Sequence, residues 1–91
     1  MKRKRTRHAR VWASLGRQYL MAPKMFGGDT AKAIESFQKS LGLNPLQDET
    51  WAWLAKAYLK QSEKAKAREA IAKALQLNPQ NGFAKQISAT L

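Results

Sequence analysis

Apolar residues return at intervals of three and four along most of the chain, and nothing alternates in the manner of a strand. Val11, Trp12, Leu15, Tyr19 and Leu20 form one stripe, Ala33, Ile34, Phe37 and Leu41 a second, and Trp51, Leu54, Ala55, Tyr58 and Leu59 a third. Ala67, Ile71, Ala74 and Leu75 make a fourth, and Phe83 or Ala84, Ile87 and Leu91 a shorter last one. This is the period of helices that each bury one face, so the pattern predicts about five helices. Pro23 disfavours helix at the residue before it, which stops the first helix near Met21 and leaves Ala22 to Gly28 as loop. Asp29 or Thr30 should open the second helix, which Gly42 and Pro45 end. Asp48 is expected to cap the third and Ser62 the fourth, while Asn78-Pro79 closes the fourth and Asn81 to Leu91 fits a terminal capping helix.

The stripes are not independent. Leu43-Asn44-Pro45 recurs as Leu77-Asn78-Pro79, and Thr30 to Pro45 laid over Lys64 to Pro79 agrees at 9 of 16 places. A repeat of this length indicates stacked helix pairs, each contacting its neighbours, in place of one central core. The copies differ in one respect: the step from Trp12 to Trp51 exceeds the step from Pro45 to Pro79 by five, which places an insertion near 21–28 with Met25 and Phe26 at its tip. Such additions fall on one edge of a helical stack. The reading favours a structural lid with Phe26 folded over the helix pair.

Charge adds a second asymmetry. Of 17 Lys and Arg against 6 acids in the 91 residues, Lys2, Arg3, Lys4, Arg5, Arg7, Arg10, Arg17 and Lys24 all precede the first acid, Asp29. Residues 1–6 are therefore read as a flexible basic tail, and 7–91 as one domain. There are no cysteines, so disulfides and thiolate chemistry are excluded. The apolar stretch after the basic start is too short for a signal peptide, and no apolar run nears the roughly 18 residues of a membrane span, so a soluble, cytoplasmic chain is expected. His8 has no nearby carboxylate to orient it, Asp48-Glu49 suits the positive end of a helix dipole, and Gly27-Gly28 lacks the Lys-Ser or Lys-Thr of a phosphate loop. These residues give no catalytic site, metal site or cofactor, and no enzyme is expected.

Trp12, Leu15, Gly16 and Tyr19, followed by Trp51, Leu54, Ala55 and Tyr58, resemble the Trp-x-x-Leu-Gly-x-x-Tyr first helix of the tetratricopeptide repeat. Ala33, Phe37, Ser40 and Pro45, and then Ala67, Ile71, Ala74 and Pro79, are similar to its second helix. The resemblance implies an all-α, right-handed superhelical stack of antiparallel helix pairs. Repeat one would span about 9–47, repeat two about 48–81 and a capping helix about 82–91. It also implies that Trp12, Trp51, Tyr19, Tyr58, Phe37 and Ile71 are core, with small residues at Gly16, Ala55, Ala33, Ala67, Ser40 and Ala74 allowing the helices to approach.

In this family the first helix of each repeat lines a concave groove that holds a peptide of a partner protein. Carried over, the groove side would present Arg10, Ala13, Arg17 and Met21, then Glu49, Ala52, Trp53, Lys56 and Lys60. Because Trp51 takes the family's buried place, Trp53 points elsewhere, into the groove or against a neighbour. Some members grip a C-terminal carboxylate with a Lys and two Asn; the matching places here carry Ala13, Arg17 and Trp53, so that clamp is absent. The expected function is a protein-interaction scaffold taking an acidic or amphipathic segment, through Arg10, Arg17, Met21, Trp53, Lys56 and Lys60. The alternative is binding of nucleic acid or an acidic surface by the basic arm Lys2, Arg3, Lys4, Arg5 and Arg7. Two repeats and one helix are fewer than the three units such stacks generally need, which also leaves a homo-oligomer as an expectation.

Overall fold

The computed structural model describes the backbone of residues 2–91 and the side chains of residues 8–91. Its elements are α1 (Lys2–Met21), a short 3-10 turn (Lys24–Phe26), α2 (Thr30–Leu43), α3 (Asp48–Lys60), α4 (Lys64–Leu77) and α5 (Gly82–Ala89), with no strand among the described residues. Contacts run from neighbour to neighbour: α1 packs chiefly on α2 and α3 on α4, α2 and α3 join the pairs, and α5 closes the stack against α3 and α4. This is the quasi-linear architecture of a helical solenoid. Helix α1 begins at Lys2, so no change of secondary structure marks the tail boundary placed after residue 6. Lys and Arg are good helix formers, and nothing before Gly16 interrupts them.

Within each pair the helices cross at a small residue facing a large one. Gly16 is buried, and a Cβ on it would lie 2.6 Å from Phe37 Cε1. Phe37 itself is fully buried. The corresponding places in the second pair hold Ala55 and Ile71, both in the core: the extra methyl on α3 is matched by a smaller side chain on α4. Beside this crossing Ser40 Oγ donates to the Ala9 carbonyl at 2.6 Å and accepts from Gln47 Nε2 at 2.9 Å, which ties α1, α2 and the following loop together. The second pair has Ala74 in place of Ser40 and makes no such link.

Not every large residue expected in the core is buried there. Phe37, Ile71 and Tyr58 are buried, whereas Trp12, Tyr19 and Trp51 are half-buried. Each pair solves the exposed side in the same way. Lys39 lies 4.5 Å from the Trp12 ring and Lys73 4.8 Å from that of Trp51; Lys32 and Lys66 lie 5.8 Å from Tyr19 and Tyr58. Lys39 and Lys73, like Lys32 and Lys66, are one period apart, so the repeat preserves a cation over each ring. Trp51 also donates through Nε1 to the Pro45 carbonyl at 2.8 Å, a polar requirement that keeps its edge near the surface.

Two of the expected caps are corrected. Asp29 caps α2, its carboxylate accepting from the Lys32 amide at 3.1 Å. Gln47, not Asp48, precedes α3; Asp48 lies in the first turn and its carboxylate accepts from Asn78 and Asn81. Glu63, not Ser62, precedes α4. Ser62 is held at φ 61° as the chain reverses to bring the Glu63 amide onto the Tyr58 carbonyl at 2.9 Å.

That reversal explains how the insertion is tolerated. In the first pair the Asp29 amide donates to the Tyr19 carbonyl, also at 2.9 Å, so the same junction closes although the chain from Tyr19 to Asp29 is twice as long as that from Tyr58 to Glu63. Inside it, the Pro23 carbonyl accepts from the Phe26 and Gly28 amides, Gly27 adopts φ 93°, and a Cβ on Gly28 would fall 1.8 Å from the Ala22 carbonyl oxygen. The loop is compact, but it is not a lid. Met25 and Phe26 are 86% and 76% exposed, because the short turn projects them away from the stack.

Two outcomes are expected. Gly16→Ala destabilises the chain by about 1–3 kcal/mol through overpacking against Phe37, and adding Phe37→Ile restores part of the loss; additive effects in a denaturant cycle would contradict this packing. Replacing residues 20–28 by Leu-Lys-Gln-Ser, the sequence of 59–62, leaves a cooperatively folded helical protein by circular dichroism.

Candidate functional site

The first helices of the two pairs and the terminal helix contribute one side chain cluster. Trp53 on α3 is half-buried and its ring centroid lies 4.8 Å from that of Phe83 on α5, the planes tilted by 50°. Such tilted pairs contribute about 0.5–1.5 kcal/mol beyond area burial. Lys56, one helical turn on from Trp53, places Nζ 5.4 Å from the Trp53 ring and 5.8 Å from that of Phe83. Arg17 reaches over from α1, its guanidinium carbon 6.0 Å from the Trp53 ring. Two aromatic faces and two cations therefore meet across α1, α3 and α5.

The other groove residues divide. Ala13 and Ala52 are buried, leaving little side chain to present. Lys60 donates through Nζ to the Leu20 carbonyl at 3.2 Å. This brings positive charge to the C-terminal end of α1, whose own last turn holds no basic residue. Met21 is exposed, and Arg10 lines a separate shallow depression with Val11, Ser14, Leu15 and Gln18. The side chains of Lys2, Arg3, Lys4, Arg5 and Arg7 lie outside the described residues.

Phe83 joins this cluster beside Trp53 and Lys56, a place that the helical stripes alone do not assign to it. It stands one full period after Glu49, which occupies the groove side of the second repeat, so the period carried one unit further marks the place. The Trp-x-x-Leu-Gly-x-x-Tyr signature is missing from α5, and that loss hides the register. What sets the register is a polar junction. Asn81 caps α5, accepting from the Ala84 amide at 2.9 Å, and donates through Nδ2 to Asp48 Oδ2 at 2.8 Å. Asn78 Nδ2 donates to the same oxygen at 3.1 Å. One carboxylate at the start of α3 thus fixes the start of α5, and with it the seat of Phe83 beside Trp53.

Chemically this cluster can hold an anionic or aromatic side chain, and it has no nucleophile or general base. His8 is exposed. Among the described residues no group of three His, Cys, Asp or Glu is placed to hold a metal, and no helix is long and apolar enough to cross a membrane.

Removing the Asp48 carboxylate with Asp48→Ala should cost about 1.5–3 kcal/mol, since two amides lose a charged acceptor. Amide exchange should then accelerate first in α5, and Trp53 emission should shift to the red. Uniform loosening of all five helices would show that the junction does not hold α5 specifically.

No curated protein matches the chain significantly. The pattern of the tetratricopeptide repeat matches residues 27–88, more than half of the 91 residues and inclusive of α2, α3 and α4. Such repeats generally mediate protein–protein interaction and are in general non-catalytic scaffolds. With helix pairs stacked in nearest-neighbour order and the repeat pattern matched over most of its length, the chain belongs to the tetratricopeptide repeat family.

Proposed function

We propose that the chain is a non-enzymatic interaction module whose α1–α3–α5 face binds an acidic or amphipathic segment of a partner protein. The observation that carries this reading is the convergence of Arg17 and Lys56 on Trp53, neither cation having an ion-pair partner among the described residues. The ion pairs among the described residues, Lys39–Glu35 and Lys66–Glu63, lie elsewhere. Two cations beside a half-exposed aromatic pair leave positive potential unspent, which a carboxylate-bearing peptide would complete. Trp and Arg are also the residue types that most often dominate interface energies. Met21 and Lys60 would extend the surface, Lys60 less so because its ammonium already serves Leu20, whereas Arg10 lines the separate depression on α1.

Phosphate binding by the basic arm is the second reading, favoured by the eight Lys and Arg that precede Asp29. It would be sequence-independent and would weaken steeply as salt rises.

Trp53→Ala and Lys56→Ala together should lower capture of a partner from lysate by at least about tenfold, with helicity preserved. Capture that persists unchanged would refute the groove assignment. Deleting residues 1–7 should leave that capture intact while removing any nuclease-sensitive, salt-sensitive component.

A further inference from the structure

The internal repeat supplies its own measure of which surfaces are incomplete. Helices α1 and α3 hold equivalent places, aligned by Trp12 on Trp51, so Val11, Leu15 and Gln18 correspond to Thr50, Leu54 and Ala57. On α3 these three are 4%, 3% and 0% exposed. On α1, Val11 is 59% exposed, Gln18 is exposed and Leu15 half-buried. The difference follows from the stack. Each of the two helices has its own second helix and the first helix of the next unit, but α3 also has α2 before it, and among the described residues no element packs on α1 in that place. The face is shaped as a shallow depression, lined by Arg10, Val11, Ser14, Leu15 and Gln18.

Charge selects the occupant. Helix α1 carries Lys2, Arg3, Lys4, Arg5, Arg7, Arg10 and Arg17 and no acid. No helix of this chain is net negative: α2 sets Lys32 and Lys39 against Glu35, and α3 sets Lys56 and Lys60 against Asp48 and Glu49. Four basic residues oppose Glu69 in α4, and α5 carries Lys85 alone. A second copy would therefore bring neutral or like charge to the most basic element of the molecule. At the flank of the depression Arg10 stands where α3 has Glu49, so the charge at the rim is reversed relative to the face that α2 covers.

We propose that the open face of α1, built from Val11, Leu15 and Gln18 with Arg10 at its rim, docks an acid-flanked amphipathic helix of a different protein. That helix takes the position relative to α1 that α2 takes relative to α3. Apolar residues at i, i+3 or i+4 and i+7 would fill the depression, and flanking carboxylates would meet Arg10. The site is separate from the Arg17–Trp53–Phe83 face and stands or falls independently of it.

The probe is a synthetic peptide with the sequence of residues 30–45 carrying Lys32→Glu and Lys39→Glu, titrated into the full chain by calorimetry. It keeps the apolar stripe that α2 offers to α3 and reverses its exposed charge. Saturable binding is expected, weaker by about tenfold or more for the peptide with the native lysines, and similarly weaker for the chain variants Val11→Asp and Arg10→Glu. Trp53→Ala should bind as the parent does. Both α1 positions are exposed, so circular dichroism of the variants should match the parent; Leu15→Asp serves as a third, more buried probe. No binding, or binding indifferent to Val11→Asp and Arg10→Glu, would overturn the proposal. Two other results would also overturn it by naming a different occupant. One is a dimer of the chain alone in sedimentation that Val11→Asp disperses. The other is co-sedimentation with vesicles of phosphatidylglycerol and phosphatidylcholine that Val11→Asp abolishes while the peptide fails to bind.

Discussion

The distance between two helix backbones at Gly16 sets the terms for the first half of the molecule. With the Phe37 ring so close that a methyl group would overlap it, α1 and α2 meet at a single register and angle. From that crossing follow the buried link from Ser40 to Ala9, the half-burial of Trp12 beneath Lys39, and the direction in which Arg17 leaves α1 towards Trp53. The second pair reaches an equivalent arrangement with Ala55 and Ile71. Volume is conserved across the two copies although neither side chain is, which is what close packing demands and what residue identity alone conceals.

The fold is readable because the chain states it twice. A helical stripe can be mistaken once, but nine agreements in sixteen places at a fixed spacing leave few architectures that satisfy both copies. Features fixed by geometry beyond the helix period are not readable in this way. Asp48 looks like a cap, yet it accepts from two asparagines of the next repeat junction, and only the folded stack brings them together. Phe26 looks like a core residue seeking cover, yet a turn closed on Pro23 points it into solvent. Trp12, Trp51 and Tyr19 read as interior from their type, whereas their water-facing sides are closed by lysines from the second helices. Periodicity predicts which face of a helix turns inward; it does not say how far inward, nor what covers the remainder.

The proposed groove shows the same division. Trp53 is conspicuous because the repeat has no use for it, and Arg17 and Lys56 because they share its side of the stack. Phe83 is not, since α5 has lost the signature that would announce its register. Its place is fixed through Asn81 and Asp48, so the aromatic pair depends on a polar junction at the N-terminal start of both helices. The local sequence around Phe83 holds only half of that junction, Asn81, while its partner Asp48 lies in the preceding repeat unit.

The lysines over the aromatic rings carry a consequence for any longer assembly built on this plan. Lys32, Lys39, Lys66 and Lys73 all rise from the second helices, two in every repeat, and each lies over a ring, Lys39 and Lys66 also pairing with Glu35 and Glu63. Extended by repetition, the stack would bear an evenly spaced ladder of positive charge along one flank, partly offset by the glutamates that pair with every second lysine. Neighbouring solenoids would then repel one another side by side, so the lysines that shield the aromatic residues of one molecule would also oppose lateral association of many.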